Sequence, residues 1–531
     1  MTGQLNHPQT KRTDLTVPRR LPPIALAAFV VVATCLAGAA TAALAATSIG
    51  AYTTKNAFSF VATPKLHPPK ITLKRHAPTS KLAPGYLMLA SFPDLTQNKL
   101  MAGQSGPLIM DNQGQPVWFK PVPTNVLANN LTTQTYNGKP ALSWWQGVVN
   151  DQGAILSGED VVVDQHYKTV ARLGAVDGWV PALHEFVVSG HDAWAIVSKS
   201  IPTDFTAEGG PAKGTLIDTA VAEFDLTTHR LVQLWDPVGH VPLSDSFGKP
   251  NPQNGMWDAY HTNSVKLVGP GKLLVGMRNT WAAYLVDLPS GTIEWKLGGK
   301  PLAGTTNFTI PTNAQFQWQH DVELHSGNIA TLFDDHCCAI IGPGKFAPPT
   351  GPSRALQLRL NMSNHSASLV SQISRGPSFD AAFLGSTELL AKGNVLVSWG
   401  SHPNFSEYDS KGKLLLDGTW PSPDLSYRAY RQRWTGSPSF PPDGAVRKKH
   451  GNSTVYASWN GATQVVAWRV LAGPNGSHLK TVALRSRTGF ETAIAFKHTY
   501  GAYKVVALGP KGKELGRSKV FPTPTPQFGG Y

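Results

Sequence analysis

A strand, a tight polar turn and a second strand return six times along this chain: "GPLIMDNQGQPVWF", "VVVDQHYKTVARL", "AVAEFDLTTHRLVQLW", "AAYLVDLPSGTIEW", "LQLRLNMSNHSASLV" and "FSEYDSKGKLLL". Their anchor residues are Asp111, Asp164, Asp225, Asp287, Asn361 and Asp409, separated by 53, 61, 62, 74 and 48 positions. Between these units lies a second hairpin type: "HEFVVSGHDAWAIVS", "HTNSVKLVGPGKLLVGMR", "HDVELHSGNIATLF" and "STELLAKGNVLVSWG". Two hairpins per unit give four strands, and four strands in about 50 to 60 residues make a β-propeller blade. The expectation is an all-β chain with a six-bladed β-propeller over residues 86–427. A run of unrelated hairpins building sandwiches is the alternative.

The flanks follow other rules. After residue 427 the short strands "VYASWNGATQVVAWRVLAG", "TVALRSRT", "TAIAF" and "YKVVALGPKGKELGRSKVF" have sandwich spacing, so residues 446–521 are expected to form a small immunoglobulin/fibronectin-like β-sandwich. Ahead of the repeats, residues 24–46 run for 23 positions without a charge, behind Lys11, Arg12, Arg19 and Arg20. That is long enough for an N-terminal transmembrane helix behind a basic cytoplasmic segment, residues 1–23. An uncleaved single-pass anchor is preferred over a signal cut after Ala43–Ala45, because the run exceeds an ordinary signal core. The remainder then lies on the extracytoplasmic side, or is secreted if the segment is cleaved. Residues 47–85 are rich in Pro and Lys and read as a semi-extended linker.

Three cysteines among 531 residues, Cys35, Cys337 and Cys338, cannot supply a disulfide framework, so stability must come from buried area. The formal charge of +14 is unevenly spread: residues 1–85 carry +9 and residues 428–519 carry +13, which leaves −8 for the middle. A basic linker and a basic C-terminal module outside a membrane argue against nucleic acid as partner. Contact with anionic lipid or wall polymers suits that charge, and simple solvation explains it equally well.

Chemistry has to come from the repeats. His184, His261 and His320 each precede the inner hairpin of successive units, so they are expected to converge on the axis. Imidazoles in that arrangement suit a metal or proton transfer. Against a metal, the chain has no tight His pair on one helix face and no HExxH. "DDHCC", residues 334–338, groups ligand types, but neighbouring side chains on an extended segment point in opposite directions. Its two cysteines are either a loop disulfide or two small buried residues.

With these motifs in place, "GPLIMDNQGQPVWF", "HTNSVKL", "IEWKLGGK", "FQWQHDVELHSGNIATLFDD", "SRALQLRL" and "WGSHPNFSEYDSKGKLL" together resemble the bacterial arylsulfotransferase (arylsulfate sulfotransferase) family, in particular its actinobacterial and fungal-type branch. The resemblance covers most of residues 86–427. It implies a propeller that moves a sulfuryl group from a phenolic sulfate ester to a phenolic acceptor, with no nucleotide sulfate donor and no cofactor. It also implies three histidines and one arginine near the channel, one histidine being transiently sulfurylated. By order along the chain these fall on His261, His320, Arg354 and the nucleophile His402, with His320 and His261 as the alternatives for nucleophile. Arg278 and the aromatics Trp257, Tyr260 and Trp318 are candidates for the aryl pocket, blade packing being the other reading.

The residue types suit that chemistry. Attack on sulfur needs a neutral imidazole, and an arginine fork can bind sulfuryl oxygens without losing its charge. The absence of a Walker-type loop fits a donor other than a nucleotide, and the absence of a "CxPxR" motif disfavours the common sulfatase route. A non-catalytic, membrane-tethered propeller acting as a cell-envelope scaffold is the competing class.

Overall fold

The computed structural model describes residues 50–522 except 96, 98, 150–154, 339, 343 and 344. The apolar segment 24–46 lies outside the described residues. Among the described residues no helix is long and apolar enough to cross a membrane, and the helical pieces are single turns of three residues.

The chain is all-β, and its centre is a succession of six antiparallel meanders among the described residues. The second sheet is Leu127–Tyr136, Lys139–Val149, Ile155–Asp164 and Thr169–Leu173; the third is Val180–Ser189, Asp192–Thr203, Gly214–Asp225 and Arg230–Trp235. The fourth begins at Thr262–Gly269, the fifth at His320–His325 and the sixth at Ser386–Leu389. The first is built from Tyr86–Pro93, Gly106–Met110 and Pro116–Phe119, completed by Asp424–Ser426 and Tyr430–Gln432 pairing with Tyr86–Pro93. The end of the run therefore returns to its beginning. The first strands of successive sheets also lie against one another, which leaves their starting ends grouped around one centre.

The six repeat anchors explain why the pattern recurs. Asp111 Oδ1 accepts from the backbone of Gln113 and Gln115, and Asp164 from His166 and Lys168. Asp225, Asp287, Asn361 and Asp409 do the same for their own turns. Each closes a hairpin locally, so that neighbouring sheets can pack face to face. Leu274, Ala283 and Leu297 of the fourth sheet, for example, pack with Val322, Leu332 and Leu356 of the fifth.

The Pro- and Lys-rich segment departs from the expected free linker. Tyr52–Thr53 pairs with Met101–Ala102, and Thr72–Arg75 adds a fifth strand to the sixth sheet beside Leu414–Thr419. Ile71, Leu82 and Ala83 are buried against Leu87, Leu416 and Trp420. An exposed sheet edge offers unpaired backbone groups, and this segment takes them up. The C-terminal strands form two sheets, Asp443–Lys449 with Asn452–Ser458 and Glu491–Phe496, and Lys480–Ser486 with Ala467–Gly473, Ala502–Leu508 and Glu514–Arg517. Val446, Val455 and Ile494 of the one share a core with Trp468, Val470 and Val505 of the other.

Candidate functional site

Each of three successive first strands is irregular where its histidine stands. Pairing slips between Pro181 and Phe186 around His184, between Thr262 and Ser264 just after His261, and between His320 and Glu323. His261 and Asp321 adopt φ of +50° and +54°, an uncommon state for residues other than glycine. Such bulges re-aim side chains, and here they turn three imidazoles toward one another. The ring centroids of His184 and His261 are 5.1 Å apart, and those of His261 and His320 are 6.4 Å apart. Tyr427 closes the group, 5.5 Å from His184 and 6.3 Å from His320.

The three rings are not equivalent. His320 is buried, with Nδ1–H donated to Asp335 Oδ2 at 2.6 Å and Nε2 accepting the Leu384 amide at 3.3 Å. His184 is also buried, and its Nδ1 has no partner among the described residues. Burial lowers the pKa of both well below the usual histidine value, helped for His320 by Arg278 and the other two rings and for His184 by His261. Both rest neutral. His261 alone keeps side-chain exposure, 28%, and its Nδ1–H is donated to Asp258 Oδ2 at 2.5 Å. Asp258 Oδ1 also accepts the His261 backbone amide at 3.0 Å. The Nε2 of His261 has no hydrogen-bond partner among the described residues.

The arginine beside these rings is Arg278. It lies in the turn after Lys272–Met277, is almost fully buried, and donates to Asn279 Oδ1 at 2.9 Å, Ala382 O at 3.0 Å and Cys338 O at 3.3 Å. Its guanidinium stacks 4.8 Å from the Trp318 ring centroid, and Nε has no partner among the described residues. Desolvation lowers its pKa, yet an arginine so perturbed still carries its charge at neutral pH. Beneath the rings Arg428 pairs with Glu185 at 2.7 Å and Asp321 at 3.2 Å, and Lys266 bridges Glu185, Asp321 and Glu323. Arg428, Glu185 and Asp321 are buried.

Other expected site residues stand elsewhere. Arg354 uses its fork on Asp334 Oδ2 at 2.9 Å, Gln372 Oε1 at 2.7 Å and Gln315 O at 2.6 Å, joining two strands to the 313–315 segment with no contact to the histidines. His402 donates from Nε2 to Asp380 O at 2.6 Å and packs 4.2 Å from Phe379. It braces the 379–384 loop, whose Ala382 and Leu384 touch Arg278 and His320, but it does not join the group itself. Trp257 and Tyr260 are core residues: Trp257 packs on Phe205, and the Tyr260 hydroxyl donates to Val241 O. Trp318 does reach the site, through Arg278. Cys337 and Cys338 form a disulfide, and only the Cys338 carbonyl touches Arg278.

Sequence reasoning missed Asn130, which stands at the same bulge of the second sheet, with φ +58° and Nδ2 donating to His184 O at 2.6 Å. The repeat register was the signal that could have found it. Among the described residues, the grouping with metal-like spacing is His191, Asp192 and Asp225, at the opposite end of the third sheet from His184.

The protein belongs to the arylsulfotransferase (ASST) family, whose model matches residues 134–420. That span holds all three histidines, Asp258 and Arg278. No curated protein matches the chain. Among solved structures, a protein of unknown function from Bacteroides caccae aligns with 66% of this chain and 100% of its own, at 11% identity and a TM-score of 0.37. The Dos1 propeller covers 66% of this chain and 72% of its own, at 10% identity and a TM-score of 0.30. A streptogramin B lyase covers 72% and 94%, at 11% identity and a TM-score of 0.30.

Proposed function

We propose that the protein is an arylsulfate sulfotransferase that works through a sulfohistidine at His261, taking its sulfuryl group from a phenolic sulfate ester rather than a nucleotide. The observation that carries this reading is the open Nε2 of His261, on a ring oriented by Asp258 and flanked by two neutral buried histidines and a buried arginine. We read the six sheets as blades of one propeller and the two C-terminal sheets as a small immunoglobulin/fibronectin-like sandwich. Residues 24–46 are read as the anchor that holds both outside the cytoplasm.

In the first half-reaction the Nε2 lone pair of His261 attacks sulfur, the N–S bond forms and the S–O bond to the aryl group breaks. The imidazole ring becomes cationic, and the Asp258 carboxylate faces that charge through Nδ1–H. Arg278 presents fixed positive charge to the sulfuryl oxygens as negative charge builds on them. In the second half-reaction an acceptor phenol attacks sulfur, its proton passes to the unpartnered Nδ1 of His184, and the N–S bond breaks. His184 then releases that proton to solvent, where it balances the phenolate that left in the first half-reaction. His320, with both nitrogens engaged, positions the 379–384 loop and through it Arg278.

Brief exposure of the protein to 4-nitrophenyl sulfate without acceptor, followed by acid-free intact-mass and peptide analysis, tests this. One sulfuryl adduct on the His261 peptide, absent from His261→Asn, is expected. An adduct that persists in His261→Asn or maps to His402 overturns the assignment, and no turnover by any folded form across a panel of aryl sulfates favours a scaffold.

A further inference from the structure

At the outer end of the third sheet the strand register sets two like charges against each other. In the sheets on either side the anchor aspartate faces a compatible residue: Asp164 lies opposite Ala141, and Asp287 lies opposite Lys272, whose Nζ is 3.0 Å from its Oδ1. In the third sheet Asp225 lies opposite Asp192. Like charges directly opposite each other destabilise an antiparallel pair. Among the described residues no lysine or arginine forms an ion pair with either carboxylate. Arg230, across from Asp225 on the next strand, is exposed and pairs with neither.

A histidine completes the group. His191 lies in the turn before Asp192, with Nε2 3.5 Å from Asp192 Oδ1, and one ligand atom from each of His191, Asp192 and Asp225 lies within 4.8 Å of the others. The two turns that carry these residues are held in place by the backbone. Asp225 Oδ1 accepts the Thr227 and Thr228 amides at 2.7 and 3.0 Å, which orients the carboxylate and leaves Oδ2 without a hydrogen-bond partner among the described residues. The His191 carbonyl accepts the Leu226 amide at 3.1 Å, so the histidine's turn is tied to the aspartate's. The side chains of His191 and Asp192 keep 60% and 25% exposure, so water has access to the group.

We propose that His191, Asp192 and Asp225 form a binding site for a divalent metal of the zinc class, with water completing the coordination, and that the ion clips the outer turns of the third sheet together. Imidazole nitrogen and carboxylate oxygen both bind zinc at about 2.0 to 2.2 Å, so modest side-chain rotation brings the three donors onto one ion. The nitrogen donor sets the class: calcium and magnesium take oxygen ligands, whereas imidazole suits zinc and its first-row neighbours. A dication between the carboxylates supplies in this sheet the positive charge that Lys272 supplies in the next. The site lies at the opposite end of the sheet from His184, so its ion holds structure and takes no part in sulfuryl transfer.

Titration of the full chain with Zn²⁺, after treatment with a chelator and in competition with a chromophoric zinc indicator, tests this. The parent should bind one more zinc ion than His191→Ala or Asp192→Asn. Melting curves give a second readout, because an ion that binds only the folded state raises its melting temperature. Zinc should stabilise the parent but not Asp192→Lys, which copies the Lys272–Asp287 pair and should itself melt above the metal-free parent. Equal zinc stoichiometry in the parent and the two folded variants, or zinc stabilisation that persists in Asp192→Lys, overturns the proposal. Displacement of the zinc by an equal concentration of Ca²⁺ overturns the class of metal assigned.

Discussion

Asp258→Asn is the substitution that most directly probes the orientation of His261. The carboxylate accepts two hydrogens from one residue, the His261 ring at 2.5 Å and the His261 backbone amide at 3.0 Å. An asparagine of the same shape has one carbonyl oxygen and can accept only one of them. A hydrogen bond to a charged group contributes about 1.5 to 3 kcal/mol, and because both side chains are about one-third exposed the lower end applies, about 1.5 to 2 kcal/mol. At about 1.4 kcal/mol per decade, sulfurylation should slow by about 10- to 30-fold. The loss should fall on kcat, since the carboxylate faces charge that appears only as the ring is sulfurylated. Stopped-flow release of 4-nitrophenolate without acceptor reads this step directly, as the rate of the first-turnover burst. A burst rate within twofold of the parent in a folded variant, or a loss confined to KM, would refute the role given to Asp258.

Other outcomes follow from the same geometry. Arg278→Lys should slow turnover at least tenfold for every donor whatever its leaving group, while Arg354→Ala should lower the melting temperature and leave kcat and KM within twofold; the opposite pattern would restore Arg354 to the site. His402→Asn should keep the sulfuryl adduct by mass, and a folded variant without it would return His402 to the nucleophile's role. Cys337→Ser with Cys338→Ser should retain most of the activity, measured as phenol release, because the contact to Arg278 is through a backbone carbonyl. Asp424 is buried with Ala102 N–H as its partner, and burial raises its pKa to about 8, so its native carboxyl stays protonated where the unfolded chain ionises. Stability is therefore lost as pH rises from the unfolded value toward 8, by up to about 1.4 kcal/mol per unit. Asp424→Asn should raise the melting temperature at pH 8 and do so progressively less toward pH 4; a pH-independent difference would show that the carboxyl does not titrate there.

What was legible in the sequence was whatever is local. Asp111, Asp164 and Asp225 announce their hairpins because each bonds its own turn within four residues, and the repeat register then aligns His184, His261 and His320 without any distance being known. Arg278 stood only among the aryl-pocket candidates, since "GMRNTW" is no motif and its partners, Cys338 and Ala382, lie 60 and 104 residues downstream. His402 and Arg354 were assigned by order along the chain, and order does not fix which side of a strand faces the centre. Residues 47–85 looked like a linker by composition, but the edge that receives Thr72–Arg75 is more than 300 residues away.

On the sulfuryl-transfer reading proposed above, the buried charges near the histidines bear on the form of the reaction. Arg428, Glu185, Asp321 and Lys266 come from the third, fourth and fifth sheets and from the closing segment, and they form ion pairs beside Tyr427. On the proposed reading, the donor enters and its phenol leaves on the side of the partly exposed His261, where the acceptor also arrives. The sulfuryl group is then held by the protein while the two aryl groups exchange. A histidine suits that task, because its sulfurylated ring keeps an N–H for Asp258 and stays activated toward the next phenol. On that reading ping-pong kinetics are the expected outcome. Intersecting rather than parallel initial-rate plots would refute it.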